Sequence, residues 1–292
     1  MIEILLPPFV AAMVILLTHA YFGLHIIQRE VIFVDLALAQ IAALGSTVAF
    51  LVGAEHGSTE AYAFAVGFTL LGALIFSFTR LEESPVPQEA IIGITFVVAS
   101  AAVILLASFS SEGTEYVRET LTGSLIWVTW PTIGKVTAGY SLICLFHYLM
   151  RRTMLAITFA PGRVQRLRFW DFVFYGTFGV TITASVQIAG VLMVFSVLVI
   201  PAVVAFFYTR RFTHALYLAW ASGTVAIIVG LGISFAMDIT TGPVIVCTFG
   251  LVLVVALAFR RRFGVRVLSA HDRGLKVRIF EEAEAAGVAS GD

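Results

Sequence analysis

The stretch VIFVDLALAQIAALG, residues 31–45, is apolar throughout except for an acid, Asp35, and an amide, Gln40. A carboxylate at hydrocarbon depth costs about 2.5–3.5 kcal/mol even on the mildest scale, so an ionisable residue there marks a pathway or a pairing. Asp35 therefore reads either as a group lining a path for a cation or as a carboxylate that caps its helix or pairs with Arg29. Gln40 reads as a path residue or as a hydrogen-bond partner of a neighbouring helix. His19, in the preceding apolar run, reads as a ligand or proton carrier, or as an imidazole satisfied by a backbone carbonyl. At about 100° per residue, Asp35 and Gln40 point roughly 140° apart on one helix. Leu36 shares a face with Gln40, and Asp35 with Ala39, so the pair is no preformed chelate.

These groups must be held by membrane-spanning helices. The chain has 292 residues, 60% hydrophobic and 12% charged, and its mean hydropathy is +0.99. A soluble domain is about a quarter charged. Apolar runs of spanning length recur from end to end, and the ten-residue alternation of a barrel is absent. The fold class expected is an all-α polytopic membrane protein. Candidate spans are 5–27, 32–53, 61–80, 89–109, 129–150, 170–188, 190–208, 214–236 and 241–260. The break between the sixth and seventh falls at Gln187-Ile188-Ala189-Gly190. With these spans the cations at Arg29, Arg80, Arg151-Arg152, Arg163 to Arg168, Arg210-Arg211 and Arg260 to Arg262 all fall on one side, which the positive-inside rule makes the cytoplasm. The N-terminus, lacking a basic segment and a cleavage site, reads as a retained helix.

Residues 1–262 read as one transmembrane domain and 263–292 as a polar cytoplasmic tail. Segment 151–168, basic with Leu, Ile and Phe interleaved, reads as an amphipathic stretch lying against membrane or partner protein. Gly45, Ala49 and Gly53 recur every four residues, flanked by Ala42 and Ser46, and mark a face where helices pack closely. Cys144 and Cys247 read as buried thiols. Pro201 interrupts an apolar helix and leads to an aromatic and then doubly basic end. That segment is either a kinked span or a span bending into a cytoplasmic docking helix. GxxxxGK[ST], HExxH and paired CxxC motifs are missing, which points away from catalysis and from a nucleotide site on this chain. Whole-chain electrostatics, with a net charge of zero, point to no anionic partner, nucleic acid included.

Five segments in order resemble the zinc/manganese/iron permease family of ABC transporters. They are FVDLALAQIAALG, QEAIIGI (88–94), LTGSLIWVTW (121–130), SVQIAGVLMVFSVLVIPAVVA (185–205) and DITTGP (238–243). The resemblance implies eight to nine helices in a bundle like the vitamin B12 and siderophore importers. It implies a permease homodimer in the cytoplasmic membrane on cytoplasmic ATP-binding subunits, with an extracytoplasmic metal-binding protein. ATP is used by the partner, this chain binds no cofactor, and the cargo is zinc, manganese or iron. The segment from Pro201 through Arg210 and Arg211 would then meet the ATPase, and the C-terminus would be cytoplasmic. The family's early motif carries Asp and His four apart, where this chain has Leu36 and Gln40, with Asp35 displaced by one residue. Glu89 stands near a family acid and reads as a charge favoured by its helix N-terminus. Asp238 reads as a loop cap, and Glu55, His56 and Glu60 as loop charge. The alternative readings are an ion- or proton-coupled secondary transporter, with Asp35 and His19 as relay, and a non-transporting scaffold.

Overall fold

A computed structural model describes residues 2–55, 57–80, 86–109, 123 and 125–263. His56, most of the outer loop 108–120 and the tail from residue 264 lie outside them. The elements are α1 (Ile2–Arg29), α2 (Val34–Leu51), α3 (Thr59–Thr79), α4 (Gln88–Ala107), α5 (Trp130–Leu149), α6 (Arg151–Phe159), α7 (Leu167–Tyr208), α8 (Phe212–Met237) and α9 (Thr241–Phe263), with 3₁₀ turns at Leu125–Trp127 and Pro161–Arg163. No strand occurs among the described residues. Among the described residues seven helices are long and apolar enough to cross a membrane, and α5 with α6, bent by 75°, makes up to eight.

The 42-residue α7 would be about 63 Å long if straight, twice a hydrocarbon core. It is not straight. At Gly190, φ is 77° and ψ is 159°, a conformation open almost only to glycine. The helical stretches on either side are each near the length of one span, which restores the nine apolar segments read from the sequence. A Cβ on Gly123 (φ 67°) would run into the backbone of Ala189 and Gly190. The break is therefore packed backbone to backbone against the segment before Leu125. Pro201, where a bend was expected, sits inside a helix that continues to Tyr208. No separate docking helix follows it, and Thr209 to Arg211 simply connect α7 to α8.

Contacts divide the chain into two units. The first holds residues 1–29, 126–167 and 196–292, and the second residues 30–125 and 168–195. In the second unit α2 is central, packed by α3 and α4. Its alanines and Gly45 make this possible: a Cβ on Gly45 would lie 2.7 Å from the Phe64 carbonyl oxygen and 2.9 Å from Phe68. Ala42 and Ala49 are buried on the same helix, while Gly53 lies past its end, where a Cβ would meet nothing within 4 Å. The close-packed face thus stops one turn earlier than its spacing suggested. Arg80, at the end of α3, donates to both oxygens of Asp171 on α7, at 3.0 and 3.3 Å. Asp171 is 1% exposed. Removing one partner of a buried pair costs about 3–5 kcal/mol. Arg80→Gln is expected to lower the thermal midpoint by several degrees, and Asp171→Asn added to it to recover most of the loss.

In the first unit α1 packs against α5, α6 and α8, and α8 against α9. Helix α6 is the amphipathic stretch. Its Met154, Leu155, Ile157 and Phe159 are buried within the chain, with Phe159 edge-on to Phe212. The expected lipid or partner covering is thus replaced by α6's own unit. Cys144 and Cys247 are exposed, not buried as expected. A thiol is apolar enough to face hydrocarbon, so an apolar run in a span does not reveal which face is inside.

Candidate functional site

Helix α2 starts at Val34, and the backbone N–H of Phe33, just before it, donates to Oε1 of Glu89 at 2.9 Å. Glu89 lies in the first turn of α4, as its dipole reading required, and it also closes the start of α2 in trans. The entry to α2 is therefore capped by a neighbour, and Asp35 is not needed there. Asp35 is 1% exposed, and neither carboxylate oxygen has a hydrogen-bond partner. It faces protein and not lipid, and it is not locked to a cation. Arg29, the partner considered for it, instead donates from Nε to Thr158 Oγ1 at 3.3 Å within the first unit.

Gln40 is 9% exposed. Buried together, Asp35 and Gln40 obey the 140° separation because α2 is sheathed on nearly all sides: Leu38, Ala39, Ile41 and Ala42 are buried too. Leu36, at the position of the family acid, is half-buried and offers no donor atom. Nearby in the same unit, the hydroxyls of Thr69 and Thr183 meet at 3.0 Å. What α2 presents is thus a carboxylate whose charge no neighbouring group offsets. Leaving a charge uncompensated inside a protein costs several kcal/mol. A passing cation would supply the missing counter-charge, and oxygen donors of this kind suit manganese or other hard ions better than soft ones.

His19 belongs to the first unit. Its Nδ1 lies 2.9 Å from the Ile15 carbonyl. A carbonyl only accepts, so this geometry places the proton on Nδ1. Nε2 then carries a lone pair, and that atom is buried without a hydrogen-bond partner. The backbone-satisfied reading of His19 thus holds at Nδ1, and Nε2 is left bare. Such a carbonyl-anchored imidazole is how metal-binding histidines are oriented, but among the described residues no three His, Cys, Asp or Glu side chains gather to hold a metal.

Two further histidines went unremarked in the sequence. Tyr21 Oη lies 3.1 Å from His147 Nδ1, and His25 Nδ1 lies 2.7 Å from Thr158 Oγ1. Thr158 donates its own proton to the Met154 carbonyl and so accepts from His25. Tyr21, His25 and Arg29 recur every four residues on one face of α1. That spacing was the available signal, and it fastens α1 to α5 and α6.

At the acidic loop, Glu55 and Glu60 line an open cavity of about 430 Å³ with Ser58 and Phe64. Ser58 caps α3 by accepting from the Ala61 N–H at 3.2 Å. Asp238 does close a helix, as expected, but through its backbone: it adopts φ 53° at the end of α8, a conformation Asp tolerates better than most residues.

A family model described as the ABC 3 transport family matches residues 1–260. The manganese transport system membrane protein MntB of Synechocystis is 26% identical over 209 residues, covering 70% of this chain and 66% of that protein. The chelated iron transport system membrane protein YfeD of Yersinia pestis is 29% identical over 184 residues, 61% of each chain. The manganese import system permease protein ScaB of Streptococcus parasanguinis is 24% identical, covering 85% of this chain and 89% of that one. The chain thus spans about two thirds or less of the first two. Among solved structures, PsaBC from Streptococcus pneumoniae in complex with Fab superposes with a TM-score of 0.71 at 20% identity, over 87% of this chain and 91% of that one. A metal-chelate type ABC transporter in an inward-facing conformation gives 0.65 at 17% identity, over 87% and 85%. At those identities the likeness is one of fold.

Proposed function

The chain belongs to the ABC 3 transport family, and from that premise we propose that it passes a divalent transition metal, manganese, iron or zinc, inward across the cytoplasmic membrane. It is a multi-pass membrane permease, and catalysis is not its part. Two copies stand on ATP-binding subunits in the cytoplasm, and an extracytoplasmic binding protein delivers the ion. The carrying observation is the family match along nearly the whole chain. Asp35, buried and without a counter-charge, supports a cation path beside α2. Gln40 supports it as a neutral oxygen donor on the same helix, and within the first unit His19, an imidazole with a bare nitrogen, supports a cation-binding role of its own.

The segment from Pro201 to Arg211 meets the ATPase. Arg211, exposed in the short connection to α8, is suited to an acidic surface on that subunit. The cationic clusters support a cytoplasmic C-terminus.

Copurification tests the assignment. The tagged chain is expected to carry an ATP-binding subunit through size exclusion, and metal uptake is expected to stop when that subunit binds ATP but cannot hydrolyse it. Uptake that persists with an inactive ATPase and follows a proton gradient would identify a secondary transporter instead.

A further inference from the structure

Two basic clusters lie some fifty residues apart in sequence: Arg210-Arg211 after α7, and Arg260 to Arg262 at the end of α9. The first unit brings them together. Tyr208 Oη donates to the Ala256 carbonyl at 2.7 Å, and the Arg260 guanidinium lies over the Phe207 ring, 5.1 Å from its centroid. Burial first, and then the charge of Arg260, lower the Arg210 guanidinium below its ordinary value. Arg210 Nε is buried without a hydrogen-bond partner.

Among the described residues of this unit little offsets that charge. From Ser196 to Phe263 the one acid is Asp238, at the far end of the 26-residue α8, about 39 Å away along the helix. The ends of α7 and α9 each contribute about half a negative charge, beside the arginines 210, 260 and 261. Below Arg261 the exposed face of α9 is apolar: Leu251, Val254 and Ala258 recur at helical spacing and lead up to it.

We propose that Arg260 and Arg261, beside Arg210, bind the headgroup phosphate of an anionic phospholipid whose acyl chain lies along the Leu251–Val254–Ala258 face of α9. The ends of two spans place these guanidinium groups at headgroup depth. Free phosphate or an acidic protein surface would meet the charge but leave the apolar strip beneath it unexplained. Only membership of a membrane-spanning family is assumed, so the site stands whichever metal is carried.

The test uses the full chain with its ATPase subunit, equilibrated with vesicles of phosphatidylglycerol and phosphatidylcholine in equal amounts, extracted, and examined by native mass spectrometry. Arg210 and Arg211 are left untouched, so that ATPase binding is a separate readout. Each basic residue near an anionic surface contributes about fivefold. Phosphatidylglycerol is expected to dominate the retained lipid, Arg261→Gln to lower its preference about fivefold, and Arg260→Gln with Arg261→Gln about 30-fold. Lysine at both positions is expected to keep most of it, and millimolar inorganic phosphate to displace none. An unchanged preference in Arg261→Gln and in the double glutamine variant would overturn the site. So would displacement by inorganic phosphate, or loss of the ATPase with lipid retained, which would give the surface to a free anion or to protein.

Discussion

Asp35→Asn is expected to leave the protein folded, at least as heat-stable as the wild type, and unable to accumulate metal. Both halves follow from one observation, a carboxylate that is 1% exposed with no hydrogen-bond partner on either oxygen. A buried charge with a structural task would be paired, and removing it would strand its partner and destabilise the fold by about 3–5 kcal/mol. Asp35 has no partner to strand. Neutralising it removes a desolvation cost, and the thermal midpoint should hold or rise by a few degrees, as commonly follows when a strained functional group is lost. Transport should suffer, since the asparagine leaves a passing divalent ion with no opposite charge on this helix. A tenfold or greater fall in cellular manganese or iron is expected in a strain relying on the variant. A fall in thermal midpoint together with normal metal content would make Asp35 structural. Asp35→Leu, which keeps the side chain's bulk, should behave the same way and guards against a new amide hydrogen bond masking the effect.

Gly190→Val and Gly123→Ala are expected to be the most damaging substitutions in the second unit. At Gly190 the backbone lies where only glycine sits comfortably, with φ 77° and ψ 159°, and an L side chain there costs about 1–3 kcal/mol before any packing is considered. At Gly123, φ is 67°, and a Cβ would collide with the peptide between Ala189 and Gly190. Overpacking adds about 1–3 kcal/mol, and here the obstacle is backbone, which cannot rotate aside. Together these consume a large share of an ordinary stability of about 5–15 kcal/mol. Little monodisperse protein should survive detergent extraction for either variant. Gly93→Ala is the control: it lies within α4 and a Cβ there meets nothing within 4 Å, so its yield should match the wild type. Equal yields for all three would mean that α7 is not broken at Gly190.

The helices themselves were legible because apolar runs of spanning length have few other interpretations. So was the break near Gly190, announced by a polar Gln187 and a glycine inside an otherwise continuous apolar run. The continuation of the helix through Pro201 to Tyr208 was not. A proline removes one hydrogen bond without dictating that the helix must end, and an unusual φ is invisible in sequence. The burial of Asp35 was foreseen, but its lack of a partner was not, because Arg29 stands six residues away. Only the fold reveals that Arg29 turns to Thr158 while Glu89 takes over the start of α2. The Tyr21–His147 and His25–Thr158 bonds depend on residues more than a hundred positions apart, beyond the reach of helical periodicity. The exposed cysteines mark a limit set by the solvent, since lipid and protein interior are alike to an apolar thiol.

The most direct measurement is uptake of radioactive manganese by proteoliposomes holding this chain with its ATP-binding subunit and fed by the metal-loaded binding protein, with ATP hydrolysis followed in the same vesicles. Wild type should accumulate the ion, whereas Asp35→Asn should hydrolyse ATP yet retain little manganese. Full accumulation by the variant would place the ion's route away from α2 and contradict the account.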